Sequence, residues 1–162
     1  MRTKAALLGL AIVAAFGAGL LVSPFLHELV PDAHAQTPAA SASGGISAGM
    51  IDLAGMKHAD LPTTSNPEMN AKGLVVTDNA TIGVQSGNVA KHNHPNTDEI
   101  QYIVEGSGAM WLGNERKEFK PGTLIVIPKG TAHGGTLVTS GPVKAIAIKI
   151  PPQGPTDTVF MN

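Results

Sequence analysis

The sequence predicts a single all-β domain, and three observations predict it. From residue 74 onward, short β-type runs alternate with turn residues. No helical period competes with those runs. Two of the connections carry residue pairs suited to tight reversals. The runs are 74–77, 81–84, 100–104, 109–112, 124–127, 136–139 and 143–150. Asp78-Asn79 separates the first two and Gly113-Asn114 follows the fourth. Asn tolerates positive φ and Gly has no side chain to clash, so both pairs suit hairpins in an antiparallel sheet. Short strands joined in this way fit a double-sheet jelly roll or a barrel.

The chain has 162 residues, enough for one domain and little more. It opens on a short basic stretch containing Arg2 and Lys4, continues through a largely apolar run over 5–22, and reaches Ala33-His34-Ala35 before Gln36. A basic start, an apolar run and a small-x-small site read as a secretory signal peptide over 1–35. The apolar run is longer than is usual for such peptides, so an uncleaved membrane anchor is the alternative. Either way the folded part is expected outside the cytoplasm, periplasmic or secreted, and membrane contact is expected only through an uncleaved N-terminus. Residues 36–70 are rich in Ala, Ser and Gly at first and later carry Pro62 and Pro67. They read as a flexible segment. The domain proper is expected over 71–151, with a C-terminal tail over 152–162 that either folds over the barrel or stays loose.

Composition excludes several functions. There is no cysteine, so disulfides, thiolate metal ligands and a cysteine nucleophile are all ruled out. Eleven basic residues stand against 12 acidic ones, with no basic stripe of the kind nucleic acid requires. No nucleic-acid partner is expected.

The chemistry concentrates in His92, His94, Glu99 and His133. In a strand, residues two apart share a face, so His92 and His94 can reach one ion. Glu99 follows the loop Pro95-Asn96-Thr97-Asp98 and opens the next apolar run. His133 lies beyond Pro128-Lys129-Gly130 and would join the others only if the sheet closes on itself. Three imidazoles and one carboxylate suit one divalent transition metal, Mn(II), Fe(II), Ni(II), Cu(II) or Zn(II). Affinity should fall in acid, because the ligands need neutral His and ionised Glu. His27, His34 and His58 lie outside any strand pattern and receive no role.

Two blocks of sequence carry a family resemblance. Gly87, His92, His94, Glu99 and Gly106 follow the spacing G(X)5HXH(X)3-4E(X)6G, except that Gly87 stands one residue too close to His92. Gly122, Pro128, Gly130 and His133 follow G(X)5PXG(X)2H(X)3N, with Leu137 in place of the final Asn. These blocks resemble the two motifs of the cupin superfamily, and specifically a small single-domain exported cupin. The resemblance implies a double-stranded β-helix, or jelly-roll barrel, over about half the chain.

The same resemblance implies a metal-dependent enzyme acting on a small organic substrate, most readily a dioxygenase or related oxidoreductase. Glu99 would shift and take a proton. Gln101, two residues on and therefore on the same strand face, is the candidate to support Glu99 or touch substrate. Glu105 shares that parity but sits beside Gly106, nearer solvent. Tyr102 points the other way by parity, and it and Trp111 read as structural. Two other classes stay open: a non-catalytic exported protein that holds a metal or a small ligand, and an isomerase or lyase in which the metal stabilises an enolate. Many cupins dimerise, and the apolar run 143–150 would make an exposed edge unless covered. A homodimer is therefore expected.

Overall fold

The computed structural model describes residues 46–161. The expected signal peptide or anchor over 1–35 lies outside them, as does the first part of the expected flexible segment. Among the described residues there is no α-helix. The elements are a 3-10 turn, His58–Asp60, and strands β1 (Met69–Val76), β2 (Thr81–Gly87), β3 (His92–Asn93), β4 (Asp98–Leu112), β5 (Glu115–Phe119), β6 (Leu124–Ile127), β7 (His133–Ile150) and β8 (Val159–Phe160). They form one curled antiparallel sheet in the order β1-β2-β7-β3-β8, with β4 paired to β5, β6 and β7. The all-β jelly-roll expectation holds.

Runs read separately in the sequence are continuous in space. The predicted strands 100–104 and 109–112 are halves of β4, and 136–139 and 143–150 are parts of β7. Both long strands bend at register shifts between Ile103 and Trp111, because each bulge adds local twist and lets a strand turn a corner. Gly106 sits at the bend with φ +82, and a Cβ there would lie 2.7 Å from Pro142 O and from Val143 Cα. Only glycine fits. β5 was not anticipated: its Glu-Arg-Lys-Glu run is exposed throughout and only Phe119 is buried, so it carries no apolar alternation. The Gly113-Asn114 reversal does join β4 to β5, with Gly113 at φ +65.

Alternation decides what faces inward. Glu99, Gln101 and Ile103 are buried and Tyr102 is exposed. The core packs Ile103, Met110, Phe119, Ile125, Ile127, Val143 and Ala145 together, with Leu112 against them. Glu105 lies near solvent as expected, though not on the parity of Glu99 and Gln101. The bulge after Ile103 turns it to the outer face beside Lys144, to which it is ion-paired at 2.9 Å. Trp111, read as structural, lies between two cations at the sheet surface. It is half-buried, with Lys91 Nζ 4.3 Å and the Arg116 guanidinium 4.8 Å from its ring centroid.

Two further expectations are corrected. The run 143–150 is not a sheet edge, since β7 is paired on one side to β2 and on the other to β4. The edge argument for a dimer therefore falls away. The segment before residue 70 is also not a free tether over its described second half. Leu61 is buried, and Ala71 N donates to Pro62 O at 2.9 Å. Asn70 Nδ2 donates to His58 O at 2.9 Å, and the His58 ring bonds Ser86 Oγ at 3.0 Å through Nδ1. The buried Lys144 ammonium donates to Met56 O at 2.7 Å. Pro62, read as part of a flexible segment, and Asn70 of β1 here pair with the backbone around them and hold the segment against the sheet as a strap.

Candidate metal centre

Sheet closure brings the four candidate ligands to one place. His92 in β3 pairs directly with His133 at the start of β7. His94 follows after one residue on the same side, and Glu99 faces inward from β4. All four are buried. A nitrogen from each of the three rings lies within 4.8 Å of the others. Glu99 Oε2 stands 3.1 Å from His94 Nε2 and 3.3 Å from His133 Nε2.

The backs of the rings fix their tautomers. His92 Nδ1 meets Ala90 O at 2.8 Å, His94 Nδ1 meets Asp157 O at 2.6 Å, and His133 Nδ1 meets Thr131 O at 2.9 Å. A carbonyl oxygen only accepts, so each Nδ1 carries the proton and each neutral ring turns its Nε2 lone pair inward. His94 Nε2 and His133 Nε2 are buried and have no hydrogen-bond partner. Two nitrogen lone pairs facing a carboxylate oxygen at 3.1 and 3.3 Å, away from water, repel unless a cation lies among them. The donor set therefore fits a metal ion, and the three histidines could hold one.

The electrostatics favour the ligating forms. Burial, reinforced by the neighbouring His133, lowers His92 from 6.5 to about 4, so its ring is neutral at neutral pH. Burial pushes the Glu99 carboxyl up, while the charge of Lys149 and the hydrogen bond donated by Gln101 act against it and favour the carboxylate. Gln101 Nε2 donates to Glu99 Oε1 at 2.9 Å, which leaves Oε2 facing the imidazoles.

Several residues of the site were missed in the sequence. The tail crosses the mouth of the centre, where Asn96 donates through its backbone N and its Nδ2 to Asp157 Oδ1, each at 2.9 Å. Thr97 and Asn96 hold the Asp157 carboxyl below its usual range. β8 pairs with β3, and the Phe160 ring lies 5.9 Å from that of His92. Gln153 Nε2 lies 3.2 Å from His94 Nδ1, and its Oε1 accepts from Lys149 Nζ. Lys149 was legible in principle: in Val143, Ala145, Ala147, Lys149 it continues the inward alternation of β7, directly beside Glu99.

One cavity borders the centre, and a second lies beyond Lys149. A largely enclosed one of about 40 Å³, lined by Gln85, Gln101, Ile103, Met110 and His133 among others, has room for a few waters and no more. An open trough of about 280 Å³ lies on the inner side of β1, β2 and β7 and is bordered by Lys149 and Gln153.

Residues 80–149 match the cupin domain family. An uncharacterized protein of Methanocaldococcus jannaschii, MJ1618, is 40% identical over 71 residues, covering 44% of this chain and 57% of that protein. Acireductone dioxygenase of Bacillus mycoides is 30% identical over 105 residues, covering 62% of this chain and 55% of the enzyme. The chain thus spans a little over half the length of these relatives. The solved structure of KdgF from Halomonas superposes with a TM-score of 0.51 at 22% identity, covering 56% of this chain and 86% of KdgF, a likeness of fold.

Proposed function

Because its folded domain belongs to the cupin superfamily, we propose that this chain is an exported, metal-dependent oxidoreductase of dioxygenase type that acts on a small organic molecule. The observation that carries the reading is the convergence of unpartnered His94 Nε2 and His133 Nε2 on Glu99 Oε2. The stretch of 30% identity to acireductone dioxygenase favours oxidative chemistry over the alternatives.

His92, His94 and His133 would hold the ion, with Glu99 as the fourth ligand. A bound divalent ion would supply Lewis acidity toward substrate and dioxygen. The chain does the rest. Main-chain carbonyls behind each ring keep the three Nε2 atoms aimed at one point. Gln101 fixes Glu99 Oε1 and keeps Oε2 turned to the imidazoles; only a carboxylate that shifts off the ion would take a proton from substrate. The buried core behind the centre excludes bulk water, and the open trough that ends at Lys149 is the proposed entry for substrate.

Oxygen uptake by the iron-loaded, full-length chain across a panel of small organic acids and ketones tests the reading. Uptake that disappears in Glu99→Ala supports it. Stoichiometric metal without any uptake would transfer the site to the binding-protein or lyase reading.

A further inference from the structure

The geometry points to a substrate class for this centre: a small organic acid whose carboxylate is gripped by Lys149 and whose aliphatic part lies in the trough beside it. This rests on the reading that the centre acts on a small organic molecule.

The first observation is the position of Lys149. It stands directly across from Glu99 on β4 and from Thr81 on β2, on the inner face. Among the described residues, the hydrogen-bond partner of its ammonium is the neutral amide oxygen of Gln153, and it forms no ion pair. Ala147 and Gln101, next along β7 and β4, are neutral, and the anion across from Lys149, Glu99, turns its Oε2 to the imidazoles and its Oε1 to Gln101. An ammonium whose hydrogen-bond partner is one neutral amide oxygen has unused donor capacity, since it carries three N–H groups. A carboxylate arriving there gains charge-assisted hydrogen bonds that a neutral ligand does not.

The second observation is the shape beside it. The trough is floored where Gly73 faces Gly83 and Gly83 faces Ala147, three successive positions with little or no side chain. Val76 adds an apolar wall. A volume of about 280 Å³ is near the low end for small-molecule sites. The enclosed cavity of about 40 Å³ behind His133 is too small to be the substrate site, whereas the trough reaches Lys149, the neighbour of Glu99 across the sheet. A molecule lying along it has one end at Lys149, next to Glu99, and the other over the glycine floor.

The trough also offers a variant that leaves the fold intact. A Cβ placed on Gly73 meets no heavy atom within 4 Å, and its φ is not left-handed. Gly73→Leu therefore adds bulk to the trough without a clash at the backbone. Lys149→Met keeps the length of the side chain and removes its charge, and Lys149→Arg restores it.

The test uses hexanoate and its neutral counterpart hexanamide as probes, titrated calorimetrically into the full-length chain both metal-free and after zinc loading. Wild type should favour hexanoate by about tenfold or more, as a charge-assisted contact would give. Lys149→Met should bring the two probes to near parity, Lys149→Arg should recover the preference, and Gly73→Leu should weaken both. An unchanged preference in Lys149→Met, or no hexanoate binding by wild type, would overturn the inference. A chain that takes up no metal yet keeps the Lys149-dependent preference would sink the metal-dependent reading and leave this one standing. The converse pattern would sink this one alone.

Discussion

The imidazole of His94 is held from behind by the main-chain carbonyl of Asp157, 2.6 Å from Nδ1 and 63 residues further along the chain. The same tail residue accepts two hydrogen bonds from Asn96, in the loop between His94 and Glu99. The C-terminal segment therefore orients a ligand of the centre as well as closing the sheet over it. Deleting residues 152–162 should lower metal affinity by roughly 10- to 100-fold, the usual cost of losing a partner behind a ligand. A competition titration with a chromophoric chelator reads this directly. Unchanged affinity in the truncated chain would show that the tail is only a cover.

Gln101 is expected to act through Glu99 rather than on the metal. Gln101→Leu removes the donor to Glu99 Oε1 and frees the carboxylate to rotate. Metal affinity should drop by about tenfold while stoichiometry stays the same. A variant that loses the metal outright would mean that Gln101 is itself a ligand.

Much of this centre was legible from spacing. His-x-His puts two rings on one face, four residues then allow a reversal to Glu99, and the parity of 99, 101 and 103 is the parity found. What could not be read was long-range main-chain chemistry. The carbonyls of Ala90, Thr131 and Asp157 carry no side-chain signal, so nothing in the residue types announced that the tail would back His94. Glu105 is near solvent as expected, but through a bulge after Ile103 that no local pattern marked and that breaks the parity it was read to share with Glu99. β5 was missed because an exposed strand that buries only Phe119 shows no apolar period.

Acid should destabilise the metal-free protein through His92. Its folded pKa, about 4, lies below the ordinary 6.5, so the unfolded chain binds the proton more readily. Stability from keeping this ring neutral is complete above about pH 6.5 and is lost as the pH falls toward 4. Thermal unfolding in chelator across that window should show a falling midpoint in wild type and a flatter profile in His92→Gln. Equal slopes in the two proteins would remove His92 as the cause.

Lys144 ties the N-terminal strap to the sheet. Its side chain is 2% exposed, ion-paired to Glu105, and donates to the carbonyl of Met56. Glu105 is half-exposed and can rehydrate, so removing the lysine does not strand a buried charge, and the cost should be that of unmade hydrogen bonds. Lys144→Met is expected to destabilise by about 1–3 kcal/mol and to speed proteolysis within residues 46–66. Denaturant unfolding and limited proteolysis would detect both, and a neutral variant would mean that the strap docks through Leu61 alone.

The central claim is that the three inward Nε2 atoms and Glu99 hold a metal. The most direct test is elemental analysis of the full-length chain purified without metal supplement, beside His92→Ala and His133→Ala prepared identically. The expected result is close to one transition metal per chain in wild type and little in either variant. Equal metal in all three proteins, or no uptake by wild type even when iron, manganese and zinc are offered, would contradict it.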